Sequence, residues 1–150
     1  MVISKLNLNK IQENINLIGE FLEKLRRLSK LSEDDFLSDE RNPAAAESFL
    51  RRCIEGIFDI GRHILSKSFA YKSLEYKEVA VELGKKQIIS KEYSETLVKI
   101  AGYRNRMVHF YKRITDKELY DILQNDLVDI EKFLKEMEVF LKKYISQSNC

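Results

Sequence analysis

Apolar side chains recur at three- and four-residue intervals along almost the whole of this 150-residue sequence. Ile11, Ile15, Ile18, Leu22 and Leu25 open the pattern, and Leu119, Ile122, Leu123, Leu127, Ile130, Leu134, Met137 and Leu141 close it. An α-helix turns once in about 3.6 residues, so this spacing collects the apolar groups into one stripe per helix. Each stripe must then be covered by another helix. One proline and five glycines leave few natural interruptions. The pattern therefore predicts an all-α bundle, and 150 residues suit a single domain over 1–150. The formal net charge of +2 is too near balance to argue for a nucleic-acid partner by itself. Any such contact needs a local basic patch.

In chain order, the spacing predicts a first helix over about 5–29 and an acidic, polar connection over 31–42. Pro43 suits the first turn of a second helix reaching about residue 66. Its apolar residues, among them Leu50, Ile54, Ile57 and Ile64, spread widely enough to be covered from more than one side. A short helix is expected over 75–83, ended by Gly84, with Ser90 capping a third long helix that loosens near 109–111. Thr115 and Glu118 form a capping box that starts the last long helix. The expected architecture is four long antiparallel helices plus a short one.

The third long helix poses the functional question. Tyr93, Leu97, Ile100, Ala101, Arg104 and Val108 fall in one stripe, and a guanidinium in a core-facing row is costly without a partner or a wet cleft. Asn105 and His109 stand four apart and face the same way. His109 follows Arg104 by five residues, about 140° around an ideal helix. Three arrangements remain open. The helix loosens before His109, the arginine reaches across, or a second copy of the chain completes the site. The third would also serve RNA cleavage by 2′-hydroxyl attack, which needs a base, an acid and a cation. The chain has only two histidines, His63 and His109, and a two-fold dimer would place both His109 side chains over one phosphate.

On the second helix, Arg52, Gly56, Asp59 and His63 form a flanking row, and Asp59 and His63 are spaced to hydrogen-bond. A solvated face with an ordinary ion pair explains that row as well. Two histidines without a cysteine or carboxylate cluster do not make a zinc site, and no glycine-rich phosphate loop is visible. The opening MVISKLNLNK lacks the apolar core of a secretory signal, and no run approaches the ~18 apolar residues of a membrane span. A cytoplasmic protein with free thiols at Cys53 and Cys150 is expected.

Arg104, four intervening residues, His109, one residue and Tyr111 spell R-x4-H-x-Y. Together with the second-helix segment ESFLRRCIEGIFDIGRHIL, this resembles the HepT-type HEPN toxins over residues 6–144. The resemblance implies an all-α HEPN-like homodimer whose motif lines the cleft between subunits. It implies a metal-independent ribonuclease without a cofactor, with transfer RNA among the possible substrates. It also implies a partner, an MntA-type minimal nucleotidyltransferase antitoxin that moves AMP from ATP onto the motif tyrosine. Carried over residue by residue, Arg104 and His109 become the catalytic pair, Asn105 the polar neighbour, and Tyr111 the AMP acceptor. Asp59 and His63 become cleft-lining residues. The alternative is a helical module that binds a nucleotide or partner protein without turnover, with Tyr111 as an interface aromatic.

Overall fold

The computed structural model describes residues 5–109 and 113–148. These form seven helices and no strand: α1 (Leu8–Ser29), α2 (Glu33–Ser38), α3 (Arg41–Phe69), α4 (Tyr76–Lys85), α5 (Lys91–Val108), α6 (Asp116–Asn125) and α7 (Leu127–Ser148). The starts are set by side chains that accept otherwise unpaired backbone N–H groups. Asn7, Ser32, Ser90 and Thr115 do this for α1, α2, α5 and α6. Glu75 and Glu78 cap α4 reciprocally.

α3 is the axis of the bundle and packs against α1, α2, α4, α5 and α6. Its wide apolar face is fully covered: Ile54, Ile57, Phe58, Ile60, Ile64 and Leu65 have no exposed surface. Gly56 on the same helix belongs to this packing, because a Cβ there would meet Ile18 Cγ1 at 2.9 Å. α5, the helix of interest, is held between α3, α4 and α7. Among the described residues, no helix is long and apolar enough to cross a membrane.

Four expected boundaries move, each for a physical reason. The acidic connection contains α2, whose three acidic residues sit in its first turn, where the helix dipole favours them. Phe36 anchors that turn, fully buried against the Tyr120 ring. α3 begins two residues before Pro43, which still lies in the first turn and so lacks no hydrogen bond the helix would have made. The long final helix is broken at Asp126, whose carboxylate accepts the Tyr103 hydroxyl at 2.7 Å and the Lys99 ammonium at 3.2 Å. The outcome is four long helices and three short ones.

Gly84, expected to end α4, lies inside it. A Cβ at this position would stand 2.6 Å from Ser94 Cβ of α5, and Ser94 Oγ donates to the Ala80 carbonyl at 2.8 Å. The glycine thus allows α4 and α5 to approach closely. Gly84→Ala gains helix propensity but forces the two helices apart. A net loss of about 1–2 kcal/mol is expected, measured by urea unfolding.

Candidate functional site

α5 ends at Val108, and His109 is its C-cap, with extended backbone (φ −97°, ψ 106°) and an N–H donated to the Asn105 carbonyl at 3.2 Å. Of the three arrangements left open by spacing, the first is therefore present: the helix stops before His109. The imidazole sits at the surface, while Asn105 is partly covered. Tyr111 lies outside the described residues, as does Phe110.

Arg104 points from the last two turns of α5 toward α3 and α4. Its Nε donates to Glu55 Oε1 at 3.0 Å, and its guanidinium carbon lies 3.9 Å from the centre of the Tyr76 ring. The Tyr76 hydroxyl closes the triangle by donating to Glu55 Oε2 at 2.7 Å. The arginine side chain keeps 25% of its surface exposed and Glu55 keeps 34%, so the pair borders solvent instead of being sealed. Glu55 satisfies Nε alone. Among the described residues, neither Nη group of Arg104 meets an acceptor, which leaves the two-pronged end of the fork for an outside anion. Burial pushes the Glu55 carboxyl up, but the Tyr76 hydroxyl, the Arg104 hydrogen bond and the charges of Arg104 and Arg62 outweigh it and hold it below the usual range.

The neighbouring basic group on α5, Arg106, is committed. It grips Glu118 of α6 with both Nη groups, one contact measuring 2.8 Å, so it ties the last turn of α5 to the first turn of α6. Asp59 and His63 do not pair. His63 Nε2 instead accepts the Asn7 backbone N–H at 2.9 Å, which ties α3 to the start of α1. That nitrogen must be unprotonated to accept, and burial, with Lys10 and Lys67 nearby, lowers the His63 pKa in agreement. Burial and the charge of Glu55, one turn away, raise the Asp59 carboxyl above the usual range, against the pull of Arg62 and Lys10. Asp59 faces a polar depression beside the Arg104 cluster.

Comparison with known proteins places this geometry. The family model described as "Ribonuclease HepT-like" matches residues 11–137, most of the chain. The chain belongs to the ribonuclease HepT-like family. With that membership comes its enzyme class, an endoribonuclease. It is 30% identical over 131 residues to the tRNA nuclease HepT of Aphanizomenon flos-aquae, covering 87% of this chain and 89% of that protein. It is 28% identical over 85 residues to the mRNA nuclease HepT of Shewanella oneidensis, covering 57% of this chain and 64% of that one. Among solved structures, the tri-AMPylated HEPN toxin of Shewanella oneidensis in complex with its MNT antitoxin superposes with TM-score 0.78 at 22% identity, over 87% of this chain and 97% of that one. A cytosolic Bacillus subtilis protein of unknown function superposes with TM-score 0.74 at 20% identity, over 96% of this chain and 95% of that one. Both share the HEPN fold seen in this HepT-like chain.

The sequence missed two members of the cluster. Glu55 and Tyr76 carry no motif, and Tyr76 belongs to an element 28 positions before Arg104. One signal existed: a cation in an apolar stripe must find a carboxylate on whichever helix covers that stripe, and Glu55 lies on α3 one turn before Asp59.

The His63 contact gives this HepT-like chain a testable acid sensitivity. A folded-state pKa below the ordinary 6.5 means that the unfolded chain takes up the proton first. The His63 contribution is complete above that value and is lost as pH falls below it. Denaturant midpoints measured from pH ~8 to ~5 should fall more steeply for the parent than for His63→Ala.

Proposed function

We propose that the chain is the toxin of a toxin–antitoxin pair, a single HEPN domain that cleaves RNA, transfer RNA included, at a site shared by two subunits and without a metal ion. The observation that carries this is the state of Arg104. Glu55 and Tyr76 fix its Nε and its plane while its Nη groups meet no acceptor among the described residues, and an imidazole follows five residues on, at the helix end.

Two copies related by a two-fold axis bring two such ends to one phosphate. One His109 takes the proton from the 2′-hydroxyl as that oxygen attacks phosphorus, and the other protonates the departing 5′-oxygen. The products are a 2′,3′-cyclic phosphate and a free 5′-hydroxyl. Arg104 binds the non-bridging oxygens as negative charge builds on them. Asn105 supports the cleft beside the arginine. Asp59 and His63 stand on its flank, where they shape the groove without taking part in proton transfer. No step requires a resident cofactor or metal.

Control follows from the same charge logic. The partner is an MntA-type nucleotidyltransferase. The Tyr111 oxygen attacks the α-phosphorus of ATP, pyrophosphate leaves and the phenolic proton is released. The added AMP brings bulk and negative charge to the mouth of a phosphate site, so it blocks and repels RNA together. The solved complex of an AMPylated HEPN toxin with an MNT antitoxin supports this assignment.

Purified protein should yield cyclic-phosphate ends in the presence of chelator. Arg104→Ala or His109→Ala should lower the cleavage rate by about 10²–10³-fold with the dimer intact in gel filtration, and Arg104→Lys should not restore it. An Arg104→Ala,His109→Ala protein that cuts RNA at the parental rate overturns the proposal. Glu55 is a positioning residue: Glu55→Ala should cut kcat by about 10²-fold with a smaller change in KM, and Glu55→Gln should recover part of it. Co-expression with the nucleotidyltransferase should add AMP-sized mass to the Tyr111 peptide and none to a Tyr111→Phe protein.

A further inference from the structure

Tyr76 carries a second guanidinium. The Arg62 carbon lies 4.1 Å from the ring centre that Arg104 approaches to 3.9 Å. Two cations held this close to one ring centre are near enough to meet neighbouring phosphates of a single strand. Arg62 spends one Nη group on the Leu74 carbonyl, at 3.3 Å, which fixes the plane of its guanidinium and leaves other N–H donors to spare. Beyond Arg62 the surface falls into a depression of about 430 Å³ lined by Lys10, Asp59, Arg62, His63, Ser66 and Lys72. Three permanent cations, a hydroxyl and an imidazole face one carboxylate there. The lining is polar, unlike the apolar walls that hold a small organic ligand. It is drawn from three places in the chain: α1 gives Lys10, α3 gives Asp59, Arg62, His63 and Ser66, and the α3–α4 connection gives Lys72.

We propose that this depression is a second phosphate subsite, which seats the nucleotide next to the cleaved one. Single-stranded RNA then runs from Arg104 past the edge of Tyr76 to Arg62 and on between Lys10 and Lys72. The proposal rests on the ribonuclease assignment above and gives a nearly neutral chain the local basic track that RNA binding needs. Asp59 sets a limit on the track. Its carboxylate stands among the cations and disfavours an anion placed directly over it, so the phosphate sits on the Lys10–Lys72 side. The exposed Ser66 hydroxyl is available to the phosphate or to the ribose.

The test uses the full-length His109→Ala protein, so that RNA is bound and not cut, and a fluorescent single-stranded RNA of about ten nucleotides. Lys10→Gln,Lys72→Gln in this background should weaken binding about 10-fold at low salt. It should also flatten the slope of log affinity against log salt by about 0.7–1.4, the loss of one or two phosphate contacts. Lys135→Gln,Lys142→Gln on α7 removes the same charge elsewhere and should change neither quantity. Equal losses in both pairs, or none in the first, overturn the subsite. RNA cleavage by the unsubstituted protein, run alongside, separates the two possible failures. A protein that cuts RNA while its Lys10/Lys72 variant binds normally overturns the subsite alone. One that neither cuts nor binds overturns the ribonuclease assignment and the subsite with it.

Discussion

A cation on the core-facing side of a helix is the constraint from which the rest of this structure follows. An arginine placed there without an acceptor would cost several kilocalories per mole, more than most single contacts return. The chain meets the cost at the border of the core. Glu55 supplies the opposite charge, buried Tyr76 supplies a flat surface and a hydroxyl that holds the carboxylate, and solvent reaches the arginine and the glutamate. Full burial would demand complete pairing and leave nothing for a ligand. Full exposure would leave the long side chain free to wander. The intermediate position gives a guanidinium that is oriented at one end and available at the other.

The helices around this cluster are arranged to keep it in place. α3 carries Glu55 and packs against five other helices, so the carboxylate is attached to the most constrained element of the bundle. α4 carries Tyr76 at its first turn and is brought close to α5 by Gly84 against Ser94. The free thiol of Cys53, one turn before Ile57 on α3, contributes only packing and a weak donor to the Ile18 carbonyl. Burial pushes its pKa up to about 12, which keeps it in the unreactive thiol form.

How much of this could be read in advance depends on the range of the interaction. Periodicity is local, so the all-α class and the four long helices were legible from Ile11–Leu25, Leu50–Leu65 and the later stripes. Caps are local too, and Ser90 and Thr115 start helices as their spacing implies. The break at Asp126 was not legible, because the apolar stripe runs through it unbroken. What splits the helix is a pair of donors, Tyr103 and Lys99, that lie more than twenty residues away. His63 was misread for the same reason. The spacing offers Asp59 as a partner, but the backbone of Asn7, 56 residues earlier, takes the imidazole nitrogen. Arg104 and His109 could be named from the R-x4-H-x-Y pattern, whereas Glu55 and Tyr76 become visible only once α3 and α4 are folded over α5.

α5 is fastened at neighbouring residues on different sides: Tyr103 to the junction between α6 and α7, and Arg104 to α3. Two such fastenings, about 100° apart around the axis, act as a key in a shaft and deny the helix any twist. Shifting the register of the distant α6–α7 joint would turn the shaft and aim the guanidinium elsewhere, with every residue of the R-x4-H-x-Y signature unchanged. Related chains that retain the signature but lose the acidic latch opposite Tyr103 therefore need another way to set that angle.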